Sequence, residues 1–357
     1  MKNNYAVIMA GGVGSRFWPM SKASRPKQFI DILGTGESLI QQTFRRLSKV
    51  SPIENIFVVT NKDYKSLCSE QLPEMKSENI LTEPCMRNTA PCIAYAAFKI
   101  YSQNPDANLI VAPSDHLITN EQEFIRVVKE GVSATAANDI LLTIGILPNR
   151  PDTGYGYIQF DEAPLESNPH IKKVKTFTEK PDQELALQFL DSGDFLWNSG
   201  IFIWNAEKII KSFKKHLPDI HDIFEEGKHS FNTKKESSYI DSAFPRCKNI
   251  SIDYGIMENS ENVYVLPADF GWSDLGTWGS LYTHQELDNN RNTVQGKNVL
   301  LYDSADNIIK FTDDKVVVLQ ALNGYIVVED NNTLLICKKE DEQKIKQFVA
   351  DVEKKKR

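Results

Sequence analysis

Cysteine is scarce in this sequence, and long apolar runs are missing from it. Its five cysteines, Cys68, Cys85, Cys92, Cys247 and Cys337, are scattered, odd in number and without CxxC spacing. That pattern argues against structural zinc or a disulfide framework and reads as buried or incidental thiols. No stretch approaches the roughly 18 apolar residues of a membrane-spanning helix. Tyr5–Ala10 is too short for a signal-peptide core, and no small-residue cleavage pattern follows it. The expectation is a cytoplasmic chain with no membrane partner. Positive charge is not in excess either: the formal net charge is −7, which argues against a nucleic-acid-coating surface. What remains is ordinary for a globular protein, with 41% hydrophobic and 25% charged residues over 357 positions. That length allows a full core and more than one domain.

One absence is local. The first thirty residues contain Lys2, Arg16, Lys22, Arg25 and Lys27, and the first acid is Asp31. An acidic chain that keeps carboxylates out of its opening segment has the makings of one anion site there.

Apolar runs at Tyr5–Met9, Ile56–Thr60, Leu109–Ala112 and Ile140–Ile146 predict buried strands, and Ser38–Val50, Thr89–Ser102 and Glu121–Ala136 predict intervening helices. This alternation predicts an α/β fold: a Rossmann-like, mostly parallel sheet with helices on both faces. Ligands of such sheets sit beyond the carboxyl ends of the strands. Tyr155–Phe160, Val174–Glu179, Gly200–Trp204 and Val263–Leu266 predict further strands. After about Asn289 the pattern changes to short strands separated by Asp, Asn and Gly turns. Their spacing suggests a small C-terminal β domain, a solenoid or a sandwich. We therefore expect a catalytic domain over residues 1–288 and a β domain over 289–357. The latter ends in a helix whose Ile345, Phe348, Val349 and Val352 form a docking stripe, with Lys354 to Arg357 as a solvated end.

The stretch after the first strand reads AGGVGSRFWPMSKASRPKQF. Gly11, Gly12 and Gly14, with Ser15, allow amide groups to turn toward phosphate without Cβ obstruction, although a tight structural turn is an equal reading. A dinucleotide fold would want a third glycine where Phe17 stands and an acid after Val58-Val59-Thr60-Asn61. A P-loop would want Gly-Lys-Ser/Thr directly after the glycines. Neither is present. Arg16 and Lys27 instead offer two cations to a polyphosphate, which suits transfer at an internal phosphorus. Asp115, in PSDH, is either a cap or a Mg²⁺ ligand, since Mg²⁺ binds through one or two carboxylates plus phosphate oxygens. Asp274, in GWSDLGTW, is the candidate second acid, or the N-cap of a helix from Leu275 onward. In EPCMRNTAP, Asn88-Thr89 caps a helix, but capping alone does not need Glu83-Pro84 or Arg87, and the amides with the Asn88 and Arg87 side chains could read a purine edge. Gly154-Tyr155-Gly156-Tyr157, Glu179-Lys180-Pro181 and Trp197-Asn198-Ser199-Gly200 together suggest a sugar-phosphate pocket.

Assembled in this order, with SIDYGIME added, the motifs resemble those of the sugar 1-phosphate nucleotidyltransferases, most narrowly the bacterial mannose-1-phosphate guanylyltransferases. They run from Gly11 to Trp278; RNTAP, WNSG and GWSDLGTW are the most specific. The resemblance implies that Arg16 and Lys27 contact the triphosphate and that Asp115 and Asp274 hold Mg²⁺. It implies that Gly11, Gly12, Gly14, Ser15, Pro84, Arg87 and Asn88 bind the nucleotide. Gly156, Glu179, Lys180 and Asn198, with Asp253 and Tyr254 nearby, would line the sugar-phosphate site. It further implies GTP and mannose 1-phosphate as substrates, a short left-handed β-helix at the C-terminus and a homodimer. Met86 stands where the family often has Gly. Longer relatives carry an isomerase domain beyond the point where this sequence stops, so no isomerase activity is expected.

Overall fold

The computed structural model describes residues 2–312 and 314–356. The chain divides into two compact units that interleave in sequence. Unit 1 takes the segment up to Gly11, Thr43–Ser114 and Ile118–Trp272, and unit 2 takes Gly12–Gln42, Asp115–Leu117 and everything from Ser273.

In chain order the strands up to the last crossing between units are β1 (Asn4–Ala10), β2 (Ile56–Asn61), β3 (Ile80–Glu83), β4 (Asn108–Pro113), β5 (Leu117–Ile118), β6 (Leu141–Ile146), β7 (Gly156–Leu165), β8 (Asn168–Glu179), β9 (Phe195–Asn205), β10 (Val263–Ala268) and β11 (Trp272–Ser273). The helices are α1 (Leu39–Leu47), α2 (Lys65–Gln71), α3 (Thr89–Gln103), α4 (Glu121–Ala137), α5 (Gln183–Ser192), α6 (Ala206–His216), α7 (Pro218–Glu226), α8 (Glu236–Ala243), α9 (Trp278–Tyr282) and α10 (Ile345–Lys356).

Unit 1 is built on a nine-stranded sheet in the order β3-β2-β1-β4-β9-β6-β10-β8-β7. The expected parallel core is present: β1 pairs in parallel with β2 and β4, β2 with β3, and β6 with β10. The sheet is more mixed than the sequence pattern suggests, because β9 runs antiparallel between β4 and β6 and the β7–β8 hairpin adds antiparallel strands. Strand alternation sorts the core by face. Val7, Phe57, Val111 and Phe202 join the cluster with α3, α6 and α7, while α4 covers the other face. There Gly131 packs so close that a Cβ would stand 2.6 Å from Ile203 Cδ1. A strand covered on both sides must be apolar throughout, which is why β1 reads as one run.

Unit 2 gathers the glycine loop, the Asp115 segment and the C-terminal β domain around one core. Phe17, Met20, Ile30 and Ile32 pack there with Leu275, Trp278, Ile308, Ile326 and Ile345. The β domain is a solenoid, not a sandwich. Strands β12 (Thr293–Gln295), β13 (Val299–Tyr302), β14 (Ile308–Phe311), β15 (Val317–Gln320) and β16 (Tyr325–Asp330) stack equivalent positions in parallel, as in Thr293↔Ile308↔Ile326 and Val299↔Val317. An asparagine ladder continues the stack: Asn307 Nδ2 donates to Asn292 Oδ1 at 2.9 Å, and Asn307 Oδ1 accepts from Tyr325 N–H at 2.8 Å. Strand β17 (Thr333–Lys338) closes the stack antiparallel to β16.

Candidate active site

The glycine loop is shaped by the lysine that follows it. Gly14 holds a left-handed φ of 68°, and a Cβ there would stand 2.5 Å from the Cβ of Lys27. Glycine is required on both counts. The loop then makes a single helical turn over Ser15–Phe17, and Lys27 N–H returns to the Val13 carbonyl at 3.1 Å. Phe17 is fully buried and lies 5.1 Å, ring to ring, from Trp278.

Within unit 2 a cavity of about 290 Å³ is lined by Gly14, Ser15, Arg16, Lys27, Asp115 and Asp274, together with His116, Gly276 and Lys346. Lys27 is buried, and its ammonium is fully engaged. It pairs with Asp115 Oδ2 at 2.8 Å and donates to the carbonyls of Asp274 and Leu275 at 2.8 and 3.0 Å. Burial alone would raise the Asp115 carboxyl, but Lys27 and then His116 outweigh it and hold Asp115 below the usual carboxylate range. Arg16 donates from Nη1 to the Gly276 carbonyl at 3.2 Å, while its Nε is buried without a partner.

The capping readings of the two aspartates do not hold. Helix α4 is capped by Asn120, whose side chain accepts from Glu123 N–H. Helix α9 is capped by Thr277 in a reciprocal box with Ser280. Asp274 Oδ1 accepts from Gly276 N–H at 2.8 Å, which shapes the turn and keeps the carboxylate at the cavity.

Unit 1 carries a second pocket, of about 240 Å³, lined by Gly156, Glu179, Lys180, Asn198, Asp253 and Tyr254, with Asn88, Ser251 and Glu258. Gly156 leaves room for Glu179, whose carboxylate would collide with any Cβ there. Lys180 Nζ pairs with Glu179 Oε1 at 2.9 Å. Asn198 donates from Nδ2 to Asp253 Oδ1 at 2.8 Å. Asp253 opens a one-turn π-helix over Asp253–Met257, a form frequent at functional sites. Burial pushes the Asp253 carboxyl up, and Glu179 nearby adds to the rise. Glu258 is raised by burial and by both neighbouring carboxylates.

The remaining candidates are more dispersed. Asn88 caps α3 at a φ of 67° and accepts from Thr89 N–H at 2.9 Å, and it lines the pocket of unit 1. Among the described residues, Gly11, Gly12, Pro84 and Arg87 line neither pocket, and Arg87 Nη2 donates to the Pro245 carbonyl at 2.7 Å. Gly11 instead lies near Glu83, at the carboxyl ends of β1 and β3. Ser251 and Glu258 open and close SIDYGIME but are not among the expected site residues, and Lys346 lies in no motif.

A family model described as "Nucleotidyl transferase" matches residues 5–291, and one described as "MannoseP isomerase/GMP-like beta-helix domain" matches residues 296–352. The class is thus that of a nucleotidyl transferase with an appended β-helix. "Mannose-1-phosphate guanylyltransferase 2" of Escherichia coli O157:H7 is 36% identical over 96% of this chain and 72% of its own length. The "Alginate biosynthesis protein AlgA" of Pseudomonas aeruginosa is 35% identical over 97% and 72%. A solved structure from Thermus thermophilus, described as a "mannose-1-phosphate geranyltransferase", is 27% identical with a TM-score of 0.87, over 98% of this chain and 99% of that one. The chain belongs to the nucleotidyl transferase family, among the relatives named mannose-1-phosphate guanylyltransferases, and is an enzyme of sugar-phosphate nucleotidyl transfer. Among the described residues no helix is long and apolar enough to cross a membrane.

Proposed function

We propose that this enzyme transfers GMP from GTP to α-D-mannose 1-phosphate, releasing GDP-mannose and pyrophosphate. A phosphate oxygen of the sugar phosphate attacks the α-phosphorus in line. The new P–O bond forms as the bond from the α-phosphorus to the α–β bridging oxygen breaks, and that oxygen leaves as a terminal oxygen of pyrophosphate. The attacking oxygen is already anionic near neutral pH, so no strong base is needed, and the obstacle is repulsion between anions. The observation that carries the reading is the convergence of Arg16, Lys27, Asp115 and Asp274 on one cavity.

That donor set fits Mg²⁺, which takes one or two carboxylates and completes its shell with substrate oxygens and water. Asp115, kept ionised by Lys27, and Asp274 would hold it, and it would supply charge neutralisation on the phosphates. Arg16, tethered through Nη1 to the Gly276 carbonyl, brings its guanidinium charge to the phosphoryl oxygens. Lys27 fixes the Asp115 carboxylate and the Asp274–Leu275 backbone. In unit 1, the Glu179, Asp253 and Glu258 carboxylates accept from sugar hydroxyls, and Lys180 faces the monophosphate.

The reading is tested by pyrophosphate release with GTP, ATP, UTP and dTTP, each with mannose and glucose 1-phosphate. We expect the pair GTP and mannose 1-phosphate to lead; a clear lead for another pair replaces this substrate assignment. The solenoid's outward Leu300, Tyr302, Val318, Leu334 and Ile336, each about half exposed, support a homodimer as part of the same proposal. Light scattering on the purified chain decides it.

A further inference from the structure

We infer that Lys346, on the C-terminal helix α10, is a third cation of the phosphate cavity and binds the two phosphates that leave as pyrophosphate. This rests on the nucleotidyl-transfer reading above and adds to it a residue that its motifs do not contain.

The charge of the cavity motivates the inference. Lys27 is neutralised by Asp115 at 2.8 Å and spends its other hydrogens on two carbonyls. Arg16 is the remaining cation of the glycine loop that lines the cavity, which Asp115 and Asp274 also line. A nucleoside triphosphate brings three to four negative charges; even with a Mg²⁺ held by Asp115 and Asp274, whose charge those two carboxylates offset, Lys27 and Arg16 leave one to two of them unmet. Lys346 lines the same cavity and is solvent-exposed, which leaves its ammonium open to an incoming anion. Other lysines near it are paired: Lys344 with Asp341 at 2.7 Å, Lys339 with Asp306 at 2.8 Å, and Lys338 with Glu340 at 3.0 Å.

The placement of Lys346 is held by packing. Ile345, next to it, is fully buried, and Phe348 and Val349 pack on the core formed by Phe17, Met20 and Trp278. Helix α10 rests on the Ser15–Phe17 turn that carries Arg16. Burial of positions i, i+3 and i+4 sets the rotation of the helix and so the direction in which Lys346 leaves it. Lys27 is buried deep in the site while Lys346 is exposed, so the outer cation falls to the outer phosphates.

The test is the dissociation constant of inorganic pyrophosphate by calorimetry, for wild type, Lys346→Ala, Lys346→Arg and the control Lys344→Ala. We expect Lys346→Ala to weaken pyrophosphate about ten-fold, the size of one charge-assisted contact, and to raise the KM for GTP by a similar factor. Lys346→Arg should recover most of this, Lys344→Ala should match wild type, and GMP affinity should not change. Pyrophosphate affinity within two-fold of wild type in Lys346→Ala overturns the inference, as does a wild type that binds no pyrophosphate. The measurement is blind to base and sugar. A wild type that binds pyrophosphate but fails to turn over GTP with mannose 1-phosphate therefore sinks the substrate assignment alone.

Discussion

Lys27 and Asp274 line one cavity but answer to different forces, and substitution separates them. Lys27 is buried and fixes both a carboxylate and a backbone segment. Lys27→Ala leaves Asp115 without its counter-ion and two carbonyls without donors, so it should cost stability, about 1–3 kcal/mol, as well as turnover. Asp274→Asn keeps the acceptor for Gly276 N–H and should leave the melting temperature near wild type, while turnover falls about 10²-fold or more. A thermal scan beside a rate assay checks the pair; equal melting losses would show that Asp274 is structural. Glu83 supplies a prediction of the opposite sense. Burial raises its carboxyl to about 7, partly opposed by the Cys92 thiol that donates to it. A raised acid favours its neutral form in the fold, so its contribution is best below the unfolded value near 4.5 and is lost as pH rises through about 7. Glu83→Gln should therefore be more stable than wild type at pH 8, by up to about 3 kcal/mol, and equal to it near pH 4. Denaturant midpoints across that range measure the difference.

Elements explain what sequence can and cannot reveal. The strands β1, β2, β4 and β6 are legible because a strand covered on both faces must be an unbroken apolar run. Strand β3 is not, since Ile80–Glu83 is four residues long and ends on Thr82 and Glu83. The WNSG motif reads as loop chemistry, yet Asn198 lies inside β9, at the register shift opposite Gly145. Only pairing makes that shift visible. The glycine loop is half legible: its glycines announce a close approach, but the structure shows that at Gly14 the close neighbour is Lys27's own side chain. Gly14→Ala should thus strain the turn by about 1–2 kcal/mol and, by displacing Lys27, cut turnover more than its stability loss explains. A variant with full activity would show that the loop tolerates the shift. The π-turn at Asp253 carries a pH signature. On the proposed role, in which Asp253 accepts from sugar hydroxyls, the ionised carboxylate is the stronger acceptor, so the KM for mannose 1-phosphate should climb as pH falls through a value above the ordinary carboxylate range. Asp253→Asn should abolish that climb while raising KM throughout.

At the scale of the whole chain, the motifs lie along the first three quarters of the sequence, which makes the C-terminal β domain look like an appendage. Compactness divides the molecule differently. The core of unit 2 draws Phe17 and Met20 from the glycine loop, Trp278 from GWSDLGTW, Ile308 and Ile326 from the solenoid and Ile345 from α10. No periodicity joins segments at opposite ends of the sequence, so this assembly is invisible until the chain is folded. It has a consequence that a tethered domain would not. Ending the chain after Lys344 removes the fully buried Ile345 with Phe348 and Val349, and large-to-nothing losses in a core cost about 2–5 kcal/mol per residue. The cost falls on the core that carries Phe17, and so on the turn that holds Arg16. We expect the truncated protein to lose turnover and pyrophosphate binding together, beyond the loss in Lys346→Ala, while the nine-stranded sheet keeps its circular-dichroism signature. Truncation that leaves turnover intact would mean the glycine loop is held in place without α10.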